Sequence, residues 1–116
     1  MAVADDRRLR VVIFQEGPGV WVVRGLEHEL LAEARTIGGA VRAAIKLVEA
    51  HASFDSRHNL RPLAAFRPSP QTYWNAYHSG TPVSLTQLGV TQPPGWHISV
   101  AFAHRRPDQQ PTPRVA

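Results

Sequence analysis

The stretch LLAEARTIGGAVRAAIKLV, residues 30–48, decides the fold, because an apolar run changes its period inside it. Leu30 to Ala34 is short and reads as an edge strand, with Glu33 adding a charge that discourages sheet-to-sheet association. Thr36 follows, and its hydroxyl can accept a hydrogen bond from a backbone N–H of a first helical turn, which makes it an N-cap. After it, Ile37, Ala40, Val41, Ala44, Ile45 and Val48 recur at steps of three and four, on one helical stripe. Arg42, Lys46 and Glu49 fall outside the stripe. Gly38 and Gly39 are poor helix formers, so their place in the first turn points to close approach of that turn to the sheet. The expected helix runs from Ile37 to Ala52.

Upstream, LRVVIFQE (from Leu9) is β-branched and aromatic, apolar on much of both faces, and reads as a central strand. EGPG, Glu16 to Gly19, reverses the chain, since Pro presets one turn dihedral and Gly permits positive φ. VWVVR, Val20 to Arg24, is then the antiparallel partner, and a second reversal centres on Gly25. Downstream, residues 53–72 read as irregular. SPQTYWNAYHSG reads as a short helix, with Ser69 as N-cap, Pro70 in the first helical position and Gly80 after the end. PVSLTQLG suggests another short helical turn. WHISVAFA alternates: Trp96, Ile98, Val100 and Phe102 face one way, His97, Ser99, Ala101 and Ala103 the other. A helix that crosses over before this strand favours its being parallel to the first. The expected class is α+β: three antiparallel strands, one long packed helix, an irregular segment with a short helix, and a late strand returning to the sheet. Residues 1–8 are expected to be a flexible N-terminus, 9–106 a single domain and 107–116 a disordered tail.

The chain has 116 residues, no cysteine and a formal net charge of +4. Disulfides and thiolate chemistry are excluded. There is no apolar run of membrane-spanning length, and the N-terminus has acids and arginines where a signal peptide needs an apolar core. A cytoplasmic location without membrane association is expected. Residues 1–56 carry 7 basic and 8 acidic side chains, whereas residues 57–116 carry 6 and 1. The later half is the surface suited to an anion, an acidic partner or RNA, although the same arginine excess also serves plain solubility.

From residue 9 to residue 52 the order of elements, ending in ARTIGGAVRAAIKLV, resembles the HicB-like family of small bacterial antitoxins. The last stretch is similar to that family's G-x-T-x-x-E-A-x-x-x-A pattern at the strand-to-helix junction, with Thr36 at the Thr and Ala40 at the first Ala. Gly39 stands where the family usually has Glu, Arg35 where a small or polar residue is commoner, and GLEHE replaces the usual PDLPGC-like loop. The resemblance implies a partial RNase H-like fold and a protein that masks a small RNA-cleaving toxin. Many members add a C-terminal DNA-binding domain, for which the residues after the last strand offer no helix-turn-helix.

Catalytic constellations are thin. An RNase H-type nuclease needs carboxylates converging on metal ions, yet the first strand has none before Glu16, the expected helix only Glu49, and the last strand none. His51, Asp55 and His58 have a spacing that a continuing helix could bring together on a metal. The commoner role of such residues is polar surface near a helix end. His28 among Glu27, Glu29 and Glu33 reads as a solvated acidic turn. A non-enzymatic protein without cofactor or metal is expected.

Residues 57–78 interleave arginines with aromatics, and Arg57, Arg61, Arg67, Tyr73, Trp74 and Tyr77 are the candidate binding residues. This composition suits single-stranded nucleic acid, by phosphate contact and stacking, and also a protein interface, the better-supported of the two. It also suits a plain roof over the sheet. The expectation is a small toxin-like protein partner, with RNA as the alternative. The small face of the last strand needs either water or a second cover, and Tyr73 and Trp74 are candidates for that cover. Were they to point outward, their patch would need a partner, and on that ground a homodimer built on the last strand and the Tyr73/Trp74 segment is expected.

Overall fold

β1 (Arg8–Gly17) is the centre of the sheet, and its sequence shows why: Leu9, Val11 and Ile13 are buried on one face, Val12 and Phe14 on the other. Residues 7–107 are described by the computed structural model. β2 (Val20–Gly25) pairs antiparallel with β1 across the Pro18–Gly19 turn, with a bulge between Gln15 and Gly17. Gly19 takes φ +68°, as such a turn requires. β3 (Leu31–Ala34) is the edge strand beside β2. After α1 (Ile37–Arg57) and α2 (Gln71–Ser79) come β4 (Thr81–Val83) and β5 (His97–Phe102). The sheet order is β3-β2-β1-β5-β4. β5 lies parallel to β1, as the crossover rule predicts. The class is α+β, with a five-stranded mixed sheet between two helices.

Each helix covers one face. α1 buries Ala40, Val41, Ala44, Ile45 and Val48 of the expected stripe, with Ile37 at its start only partly buried, against Leu9, Val11, Ile13, Val23, Ile98 and Val100. Burying each Val or Ile contributes about 1.5–3 kcal/mol, so this face dominates the stability of the fold. Thr36 is the N-cap: its Oγ1 accepts the Gly39 N–H at 3.0 Å. A Cβ at Gly39 would sit 2.8 Å from that oxygen and 3.2 Å from the Ala34 Cβ, which is the close approach its position suggests. On the opposite face Val12, Phe14, Val22, Leu26 and Ala103 pack with Ala76 of α2, flanked by Tyr73, Trp74 and Tyr77.

Four expectations are corrected. α1 does not stop at Ala52 but runs to Arg57, because no breaker intervenes before Asn59, which takes φ +56°. There the Leu60 N–H donates to the Asp55 carbonyl and the Asn59 N–H to the Ser56 carbonyl, a Schellman ending with Asn in place of Gly. Ser69 is not the cap of α2: Pro70 holds the N-cap position with no side-chain bond. The Ser69 Oγ instead donates to the Gly25 carbonyl at 2.6 Å. The segment from Pro82 is a helical turn only after Ser84, since Thr81–Val83 adds to the sheet as β4. Finally, β1 begins at Arg8, inside the stretch expected to be flexible. Residues 1–6 and 108–116, which hold most of the expected flexible start and tail, lie outside the described residues.

Candidate interaction surface

The end of α1 brings two apolar side chains to the surface. Phe54 is 48% exposed and Leu60 is 50% exposed, with Arg57 and Arg61 exposed beside them in sequence. The backbone beneath them is fixed. The Asp55 carboxyl, buried, accepts the Leu63 N–H at 2.7 Å. Leu63, fully buried in the core below α1, is thereby held at φ +59°. The Phe54 ring stacks on His58 with centroids 4.1 Å apart. His58 Nδ1 lies 2.8 Å from the Phe54 carbonyl and donates to it in the tautomer protonated there. His51 meets the Phe66 ring edge-on at 4.8 Å.

These contacts separate the His51/Asp55/His58 set. One ring lies against Phe66, one against Phe54, and the carboxyl between them points to the Leu63 amide. Among the described residues no three His, Cys, Asp or Glu side chains are grouped to hold a metal ion.

The six candidate residues are divided between the two faces of the sheet. Arg57 and Arg61 belong to the α1 end. Arg67 is exposed where the chain passes the β2–β3 connection, its carbonyl accepting the Glu29 N–H at 2.8 Å. Tyr73, Trp74 and Tyr77 lie on α2, against the opposite face. Their rings turn inward: Tyr73 packs on Phe14 with centroids 6.3 Å apart, and the Trp74 Nε1–H donates to the Ser69 carbonyl at 3.1 Å. They cover Ala103 at one end of the small face of β5, while His97 stays exposed and Ser99 half-buried at the other, and the Tyr73 and Trp74 rings form no outward patch.

The aromatics do meet arginines, but from elsewhere in the chain. The Arg10 guanidinium lies 4.8 Å from the Trp74 ring centroid and that of Arg24 lies 4.0 Å from Tyr73. Arg10 Nε pairs with Glu27 Oε2 at 2.6 Å, and Arg24 Nη2 with Glu29 Oε1 at 2.7 Å. The other Glu27 oxygen accepts the Arg10 backbone N–H at 2.7 Å. The acidic turn around His28 is therefore bound to the sheet rather than solvated. The signal was present in the alternation: Arg10 shares a strand face with Val12 and Phe14, and Arg24 is the register partner of Val12. Which aromatic each would meet depends on where α2 docks, which no local pattern shows. Both guanidiniums are committed to a carboxylate and a ring, and partly exposed pairs of this kind contribute about 0–1 kcal/mol each. Their role is to seat α2.

Comparison with family models, curated proteins and solved structures returns no match.

Proposed function

We propose that this chain is a non-enzymatic, HicB-like binding protein that masks a small toxin-like protein in the bacterial cytoplasm, using the end of α1. The observation that carries the reading is the pair of half-exposed apolar side chains, Phe54 and Leu60, flanked by Arg57 and Arg61 on a backbone pinned by Asp55. Apolar anchors with arginine beside them are the composition of protein–protein hot spots, and a pinned backbone lowers the ordering cost of association. The layout supports the HicB-like, partial RNase H-like part of the reading: three antiparallel strands, a crossover helix, then a strand parallel to the first. Glu27 and Glu29 are held by arginines and Asp55 by a backbone amide, while Glu16, Glu33 and Glu49 stand exposed on three different elements, an arrangement that supports a masking role without catalysis. Among the described residues no helix is long and apolar enough to cross a membrane.

RNA binding is the second reading, favoured by the exposed Arg57, Arg61 and Arg67. Salt separates the two. Phosphate contacts release counterions, so RNA affinity falls steeply between 50 and 200 mM salt, by about tenfold or more for a few contacts. A complex anchored by Phe54 and Leu60 weakens far less over that range. Titration of the purified chain with the product of its neighbouring gene, and with single-stranded RNA, at both salt concentrations tests the proposal. Phe54→Asp abolishes binding in the first reading and leaves phosphate contacts in the second.

A further inference from the structure

β4 stops short of covering its neighbour. It pairs with β5 only from Thr81 opposite Phe102 to Val83 opposite Val100, whereas β5 begins at His97 and pairs with β1 along its whole length on the other side. The chain leaves the edge of β5 at Ser84. There the Ser84 N–H donates to Gln87 Oε1 and the Gln87 N–H to Ser84 Oγ, which closes a turn. That turn reaches toward α1, where a Cβ at Gly38 would lie 3.1 Å from the Leu88 carbonyl. Between the turn and the edge of β5 lies an open groove of about 1030 Å³.

We propose that this groove takes an extended, uncharged polypeptide segment, which adds to the sheet as a strand beside His97–Ser99, in line with β4 and antiparallel to β5. Three observations converge on that occupant. First, the wall is a strand edge against which no strand lies among the described residues, and an edge of this kind is a template for main-chain pairing. Second, the Ile98 N–H, turned into the groove, is held at 3.0 Å by Gln92 Oε1. A side-chain amide carbonyl there occupies the place of the peptide carbonyl that a neighbouring strand would supply. Third, the described residues lining the groove include no Asp, Glu, Lys or Arg; Leu85, Val90 and Ile98 are apolar, and Thr86, Gln87 and Thr91 offer hydroxyl and amide groups. In a basic chain this lining, whose one imidazole is that of the exposed His97, offers a charged segment no carboxylate or guanidinium and suits an uncharged one. Three residues in a strand span about 10 Å, the length of edge that β4 leaves open. The proposal is independent of the α1 surface.

The probe is the pentapeptide acetyl-Thr-Val-Ser-Val-Thr-amide, titrated into the full isotope-labelled chain and followed by backbone amide resonances. The same peptide with every backbone nitrogen methylated is the control, because it keeps the side chains and loses the donors. The expected result is saturable shifts at Ile98 and Ser99 with the first peptide and none with the second. Gln92→Ala removes the competing carbonyl and should tighten binding by about three- to tenfold, since one hydrogen bond is no longer exchanged. Phe54→Asp should leave the titration unchanged, which separates this outcome from the fate of the α1 surface. Equal shifts from both peptides, no shift from either, or an unchanged affinity in Gln92→Ala overturns the proposal. So does saturation by a neutral sugar at lower concentration than the peptide, or a concentration-dependent shift of the free chain that the peptide fails to suppress, which would assign the groove to a second copy.

Discussion

Asp55→Ala removes the clamp under the proposed partner surface, and its cost can be worked from the structure. Asp55 is 6% exposed, and its Oδ2 accepts the N–H of Leu63, a residue that is fully buried and held at positive φ. Deleting the acceptor leaves a buried N–H without its partner, which costs about 1–3 kcal/mol. Leu63 at φ +59° is strained by about 1 kcal/mol or more, tolerable only while the surroundings fix it. Once released, the segment can relax, recovering part of that strain but withdrawing the Leu63 side chain from the core. The net expectation is a loss of about 2 kcal/mol, or roughly 6–12 °C in melting midpoint for a domain of this size. Asp55→Asn keeps a carbonyl acceptor and should lose about half as much. Thermal melting by circular dichroism reads the midpoint, and hydrogen exchange reads the Leu63 amide directly. An Asp55→Ala protein that melts within 2 °C of the parent, with the Leu63 amide still protected, would refute the clamp. A zinc-dependent rise in midpoint that both variants abolish would show that the carboxyl serves a metal instead.

Ile45→Asp places a carboxylate on the buried stripe of α1, where Ile45 is 7% exposed, and should cost several kcal/mol, roughly a third or more of a small domain's stability; urea unfolding measures it, and a near-parental midpoint would mean that the helix face is misassigned. Ser69→Ala removes the donor to the Gly25 carbonyl and the acceptor for Arg24 Nε, and should lower stability by about 1–2 kcal/mol in the same assay. Gly80→Ala brings a Cβ to 2.5 Å from the Phe102 carbonyl oxygen, where only backbone can give way, and should cost about 1–3 kcal/mol although Gly80 has an ordinary φ of −83°; an unchanged stability would show that β5 and the end of α2 are less closely apposed.

The parts of this fold that were legible in the sequence are those specified by neighbours in the chain. Thr36 and the stripe from Ile37 to Val48 announced α1, the alternation from Trp96 announced β5, and the crossover rule placed β5 parallel to β1. The features missed depend on distant groups or on single residues. The last turn of α1 extends to Arg57 because Asn59 accepts a left-handed conformation, and the Asp55 carboxyl is used only once Leu63 arrives. β4 is three residues long with Pro82 at its middle, and such a segment becomes a strand only because β5 is beside it. The six candidate residues looked like one strip because they are close in sequence. A sheet stands between its two halves, since Leu63 and Phe66 pack with the core on the α1 side while Ser69 already bonds to Gly25 and leads into α2 on the other. Arg10 and Arg24 went unassigned because an arginine on a strand face is informative only when the ring opposite it is known.

The central claim, that the end of α1 is a docking surface for a small protein, is tested most directly by co-expressing the chain with the product of its neighbouring gene and weighing the assembly by native mass spectrometry. A stoichiometric complex that survives 500 mM salt is expected, and its loss in a Phe54→Asp/Leu60→Asp double variant that melts within a few degrees of the parent, as exposed positions allow. A complex that forms equally well with the double variant, or a chain that ignores the neighbouring product and binds single-stranded RNA with a steep salt dependence, would contradict it.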